Sequence, residues 1–197
     1  PKPIFSDNGK KIILSLRFNI LSYIIKTNIT MMKPIYKKAD ISEIDSICEL
    51  IKNAIRQMES QGIYQWDEDY PNLDILSQDI TNEELTTVNI ENEIAAIYVT
   101  NTEYDEEYDK VKWHFPDAKF MIVHRLCVSP KFQNKGLARI IVEHIEKEAK
   151  HEGFQSIRLD TFSGNPYSLR LYKSLGYTET GRFFWRKGCL ITMEKLL

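Results

Sequence analysis

Between residues 121 and 151 the chain reads strand, tight turn, helix, and that unit limits the folds open to it. Residues 121–128 form an apolar run, Ser129-Pro130 breaks it, and Gln133-Asn134-Lys135-Gly136-Leu137-Ala138 opens a strongly amphipathic stretch. Within that stretch Ile140, Ile141, Ile145 and Ala149 share one side at helical spacing, while Glu143, Glu146, Lys147 and Lys150 take the other. A strand that enters a helix through a single glycine leaves several backbone N–H groups at the positive end of that helix. Such an end suits a diphosphate.

The remainder of the chain supplies strands and helices around this unit. Residues 33–38 read as a first strand, after which Asp40 and Glu43 form a capping box. Ile44, Ile47, Cys48, Ile51, Ala54, Ile55 and Met58 then keep helical spacing until Gln61-Gly62. An aromatic, acidic loop at 63–71 leads into a short helix at 72–80. Residues 87–90 and 94–100 read as a hairpin around Glu91-Asn92-Glu93. A long polar loop at 101–117 carries Tyr104, Tyr108, Trp113 and Phe115, a length that suggests function or mobility. Beyond the strand at 120–128 and the helix that Gly153 ends come a strand at 156–162 and a helix at 165–175, stopped by Gly176. Two strands, 177–186 and 190–196, flank Lys187-Gly188. The order β-α-α-β-β-β-α-β-α-β-β implies an α/β (α+β) fold, a mixed sheet with helices packed on it.

A chain of 197 residues fits one domain with an appendage. The appendage is 1–32, where Lys2, Lys10, Lys11, Arg17 and Lys26 face only Asp7. This piece carries +4, so with −2 overall the domain at 33–197 carries −6. Met31-Met32 just before the first strand suggests that the domain proper starts there. The apolar stretch 12–25 is interrupted by Arg17 and Asn19, too short and polar to span a bilayer, and no small-residue cleavage site follows it. A role for this basic extension in docking on a membrane or partner is a further expectation. The overall charge gives no general pull toward nucleic acid. Cys48, Cys127 and Cys189, odd in number and widely spaced, read as reduced thiols of a cytoplasmic protein, and no pair has metal-ligand spacing.

Two phosphate-binding patterns do not fit. A Walker loop ends in Gly-Lys-Ser/Thr, whereas Gly136 is followed by Leu137. A dinucleotide fingerprint needs three glycines after an early strand. Gln133-x-x-Gly136-x-Ala138 instead resembles the acyl-CoA-binding signature of the GNAT acetyltransferase superfamily, Arg/Gln-x-x-Gly-x-Gly/Ala. Leu126-Cys127-Val128-Ser129-Pro130 precedes it as that family's strand and turn do. The segment from Asn165 through Leu171-Tyr172 to Gly176-Tyr177 resembles the family's Asn-x-x-Ala-x-x-Leu-Tyr-x-x-x-Gly-Phe/Tyr element, with Ser168 for the commoner alanine. The resemblance spans about 33–197.

It implies the GNAT fold, a mostly antiparallel sheet with a splayed central strand pair, and acetyl-CoA as co-substrate with no metal. Amides from Gln133, Asn134, Lys135, Gly136, Leu137 and Ala138 would cradle the pyrophosphate, with the Lys135 charge at the rim. Backbone near Leu126, Cys127 and Val128 would pair with the pantetheine arm, Asn165 would hydrogen-bond it, and an amide of Cys127 or Val128 would polarise the carbonyl. Family members pair through C-terminal strands, so a homodimer is a further implication. Tyr172 would be the general acid beside the sulfur. His124 is a candidate base, since by strand alternation it shares a face with Leu126 and Val128; Asp160 is a second. Cys127 reads as a core thiol rather than a nucleophile.

The amine acceptor is expected at Tyr64, Trp66, Asp67 and Asp160, where aromatic walls and carboxylates suit a cation, with Tyr108 and Trp113 as lids. A solvated acidic loop with Trp66 in the core is the plainer reading of 63–71. The expected activity is N-acetylation of a primary amine by direct attack in a ternary complex, with a small-molecule acceptor preferred. A protein N-terminus or lysine is the alternative acceptor, and a non-catalytic acyl-CoA sensor the alternative class.

Overall fold

The computed structural model describes residues 33–197. The expected extension at 1–32, and any docking role for it, lies outside the described residues. Among the described residues seven strands and four α-helices follow one another in the order read from the sequence. The elements are β1 (Ile35–Lys38), α1 (Ile44–Ser60), α2 (Leu73–Thr81), β2 (Leu85–Ile90), β3 (Glu93–Asn101) and β4 (Phe120–Val128). After them come α3 (Leu137–His151), β5 (Ser156–Phe162), α4 (Pro166–Ser174), β6 (Thr178–Trp185) and β7 (Gly188–Leu196).

Local chemistry accounts for the boundaries. Asp40 accepts from Ser42 N–H at 2.9 Å and Glu43 from Asp40 N–H at 3.0 Å, closing the capping box ahead of α1. Glu91 and Asn92 both take positive φ, +50° and +65°, as a two-residue hairpin turn needs. The strands around them therefore reach Leu85 and Asn101, further than the sequence suggested.

The sheet runs β1-β2-β3-β4-β5-β7-β6, and only β4 and β5 are parallel. Helices α1 and α2 cover one face through Ile47, Leu50, Ile51, Leu76 and Ile80, packed on Ile97 and Val99. Helices α3 and α4 cover the other, where Ile141, Val142, Ile145 and Tyr172 meet Val88, Val123 and Leu159. This sandwich buries both sheet faces, so the central strands read as nearly continuous apolar runs.

One feature of β4 corrects the sequence reading. Ile97 pairs with Cys127 but Val99 pairs with His124, so two steps along β3 face three along β4. The extra residue is a β-bulge with Arg125 at φ +51°. A single insertion exchanges the faces beyond it. Leu126 and Val128 therefore pack with Val123 on the α3/α4 side, whereas Cys127 joins Ile97 and Val99 under α1. His124, opposite Val99, belongs to that second side and does not share a face with Leu126 and Val128.

The long loop between β3 and β4 is anchored in the core. Glu194, fully buried on β7, accepts from His114 N–H at 2.8 Å and Phe115 N–H at 3.1 Å. Arg158 Nε donates to the same carboxylate at 2.8 Å. Trp113 lies over the Arg158 guanidinium, 4.4 Å from carbon to ring centre, and donates Nε1–H to Tyr108 C=O at 3.1 Å.

Candidate active site

Strands β4 and β5 stay paired only at Phe120↔Ser156, Met121↔Ile157 and Ile122↔Arg158. Beyond these three pairs the strands part. A cavity of about 930 Å³ lies in the gap, walled by both strands, the first turn of α3, α4, loop 63–71 and the β6–β7 hairpin. That volume is ample for a drug-sized ligand.

The turn into α3 is built to leave donors free. Phe132 N–H bonds Ser129 C=O at 2.8 Å in a short 3₁₀ turn, and Gln133 Nε2 donates to Val128 C=O at 2.9 Å, tying the turn to the end of β4. Asn134 and Gly136 take φ of +59° and +81°. Gly136 is the N-cap of α3 and has no side chain to cap it; Ile140 N–H to Gly136 C=O at 3.2 Å is the first bond into the helix. The preceding amides are thus the unsatisfied donors of a helix start, a nest suited to an anionic oxygen.

Most residues expected on the donor side line this cavity: Leu126, Cys127 and Val128, Gln133 and Asn134, Gly136, Leu137 and Ala138, and Asn165. Lys135 does not; it is exposed, with its ammonium 5.5 Å from the Phe132 ring centre. Arg139, unremarked in the sequence, lines the cavity instead, as a cation in the first turn of α3. Asn165 is already employed. Its carbonyl oxygen caps α4 by accepting from Tyr167 and Ser168 N–H, both at 3.2 Å, and its Nδ2 donates to Gln65 at 2.9 Å. Burial pushes the Cys127 thiol up to about 12, which leaves it protonated and un-nucleophilic at neutral pH.

The candidate acid and bases differ in their surroundings. Tyr172 is buried on α4, packs edge-on to Tyr177 at 5.5 Å between ring centres and lines the cavity. Burial, then the neighbouring Asp160 charge, holds its hydroxyl well above the ordinary range. Asp160 lines the same cavity and accepts from Tyr108 Oη at 2.8 Å. Burial raises its carboxyl, and the Tyr108 bond opposes that rise. His124 also lines the cavity, with Nε2 3.0 Å from Asn101 Oδ1. Burial, with Arg125 adding to it, lowers His124 to about 4, so it is neutral at physiological pH and weakly basic.

Loop 63–71 divides. Trp66 is buried in the wall of the cavity, while Tyr64 is exposed and Asp67 lies outside the lining. The Asp67 carboxylate is taken by Arg186 and Lys187, so it is not open to an amine. Arg125, like Arg139, is a residue that sequence reasoning missed, and its partner Tyr70 belongs to the aromatic loop expected at the acceptor. The Arg125 guanidinium donates to Tyr70 Oη at 2.9 Å and to Asp79 Oδ1 at 2.6 Å, joining β4, the loop and α2 at the cavity. Its signal was only the bulge, which no local pattern announced. Tyr108 lines the cavity as expected; Trp113 does not, its ring being spent on Arg158. Among the described residues no cluster of His, Cys, Asp or Glu could hold a metal, and no helix is long and apolar enough to cross a membrane.

A model of the acetyltransferase (GNAT) family matches residues 49–177. A [ribosomal protein bS18]-alanine N-acetyltransferase of Salmonella typhimurium is 35% identical over 54 residues, 27% of this chain and 36% of that protein. An aminoglycoside N(6′)-acetyltransferase type 1 of the same organism is 29% identical over 65 residues, 32% and 45% of the two chains. The chain thus spans between a third and a half of the length of these curated relatives. Among solved structures, an acetyltransferase of the GNAT family from Streptococcus agalactiae superposes with a TM-score of 0.74 at 25% identity, over 83% of this chain and 95% of that one.

Proposed function

The chain belongs to the GNAT acetyltransferase family, and from that premise we propose that it transfers the acetyl group of acetyl-CoA to a primary amine of a small molecule. The observation that carries this reading is the parting of β4 and β5 directly beside the free amides of the α3 start. Those amides and Arg139 suit a pyrophosphate, and the unpaired edges of the two strands suit an amide-bearing arm. Acetyl-CoA supplies the activated thioester.

The protein's own groups then handle charge and protons. Tyr172 Oη, kept protonated by its surroundings, holds the proton that the leaving sulfur requires. An incoming amine must lose a proton at the same point. Of the two candidate bases, Asp160 is the better supported: burial raises its carboxyl above the ordinary value, and it shares the cavity wall with Tyr172. His124, near 4, is the weaker base and is held on Asn101. Trp66, Tyr70 and Tyr108 offer aromatic faces to a cationic acceptor. The three free cysteines support a cytoplasmic setting.

A protein N-terminus is the second acceptor to consider, because one relative is named as acting on a ribosomal protein. The bridging of loop 63–71 to both α4 and the β6–β7 hairpin favours a small acceptor over a protein segment. The test is thiol release from acetyl-CoA across amines and peptides, for wild type and Tyr172→Phe. The expected outcome is amine-dependent release that falls by roughly a hundredfold or more in the variant, with the CoA-induced rise in melting temperature retained. CoA binding without turnover on any acceptor supports the sensor reading instead. If CoA fails to raise the melting temperature, the donor assignment is wrong.

A further inference from the structure

Two segments that wall the cavity are far apart in sequence and bolted together from outside it. Arg186 Nη2 reaches both carboxylate oxygens of Asp67, at 2.8 and 2.9 Å, and Asp69 at 3.4 Å. Lys187 Nζ meets the same Asp67 carboxylate at 2.6 Å. Alongside this cluster Tyr70 and Trp185 pack edge to face with ring centres 4.7 Å apart. Trp66 and Tyr70 of the loop, and Phe183, Trp185 and Lys187 of the hairpin, line the cavity, whereas Asp67, Asp69 and Arg186 do not. Of these charges only Lys187 reaches the lining, and its ammonium is held on Asp67, so the cluster sets how far apart the two aromatic walls stand.

We infer that the Asp67–Arg186–Lys187 cluster is a latch that sets the width of the acceptor end of the cavity, selecting slim primary amines over bulky ones. The inference rests on the acetyl-transfer reading for its choice of ligand. A carboxylate shared by two cations on the opposite segment resists separation of the walls. The same groups are partly exposed, so each pair is individually weak and is screened by salt. The edge-to-face contact of Tyr70 and Trp185 is apolar and survives screening. Loss of the ion pairs thus loosens the walls without unfolding them.

The test uses the intact chain saturated with CoA, with tryptophan fluorescence reporting amine binding through Trp66 and Trp185. Affinities for a short linear amine and for an aryl-branched amine are compared in wild type, Arg186→Gln and Asp67→Asn. In both variants the bulky-to-slim affinity ratio should rise about two- to fivefold, the scale of one exposed ion pair. The slim amine and the CoA-induced melting shift should hold within about twofold of wild type on that same scale. Raising salt from about 0.05 to about 0.5 M should move wild type toward the variants, leave Asp67→Asn nearly still, and move Arg186→Gln less than wild type, since it keeps the Lys187–Asp67 pair. This salt arm stands even if a variant misfolds. An unchanged ratio in the variants, or no salt response in wild type, overturns the latch alone. Amine binding without thiol release overturns only the acetyl-transfer reading. Failure of both amines to bind overturns the two together.

Discussion

Tyr108 and Asp160 stand 52 residues apart in sequence and share one hydrogen bond, phenol hydroxyl to carboxylate at 2.8 Å. It joins the long loop after β3 to the strand that bounds the cavity. Because this bond pulls the Asp160 carboxyl down against the upward push of burial, removing the donor lets it rise further. A base works only when deprotonated, so Tyr108→Phe should move the acid limb of the kcat/KM profile to higher pH and depress activity below neutrality. Asp160→Asn should cost about 10²- to 10⁴-fold in kcat/KM across the whole profile. Identical profiles for wild type and Tyr108→Phe would remove Asp160 from the proton path.

Gly136 sits at the N-cap of α3 with φ +81°. An L side chain there costs about 1–2 kcal/mol, so Gly136→Ala should lower stability by that order. The backbone relaxation that relieves the strain would turn the first amides of α3. Affinity for CoA should therefore fall by more than the stability loss alone implies, read by calorimetric titration well below the melting temperature.

His124 makes stability depend on acid. Its pKa drops from 6.5 to about 4 on folding. The unfolded chain thus binds more protons between these values, and the stability contribution, complete above about 6.5, is lost as pH falls toward 4. The full effect is about 3 kcal/mol, from 1.36 kcal/mol per unit. Unfolding free energies from urea titration of wild type at pH 7 and near pH 4 should diverge by that order more than those of His124→Gln, which has no such titration.

Glu194 holds both Arg158 and the loop amides of His114 and Phe115. Glu194→Ala strands a buried guanidinium and should destabilise by about 3–5 kcal/mol. Replacing both partners with apolar residues, Arg158→Met with Glu194→Leu, should restore the part of that loss due to the stranded charge. The double variant still lacks the acceptor for the two amides, so its KM for amine should rise while CoA binding stays near wild type.

The order of elements was legible because each announces itself locally. Asp40 and Glu43 form the expected cap, Gly136 opens α3, and Gly176 closes α4 at φ +92°. The turn proposed for the donor was legible for the same reason, since its groups are backbone atoms of one short segment. The wall proposed for the acceptor was not. Arg125 reaches Tyr70 and Asp79 across 55 and 46 residues, and Asp67 is consumed by cations 119 and 120 positions away, relations that no spacing rule contains. The face of His124 was misread because strand alternation assumes an uninterrupted ladder, and the bulge at Arg125 breaks it.

The bulge also divides β4 into two reading frames. Before Arg125, odd-numbered side chains address the α3/α4 face; after it, even-numbered ones do. Point substitutions on one half leave the phase of the other untouched, so the half paired with β5 and the half leading into the α3 turn can diversify separately. A one-residue deletion at Arg125 would merge the frames and turn Leu126, Cys127 and Val128 inside out together. Along this strand a change of length disturbs both sheet faces at once, whereas a side-chain change disturbs one.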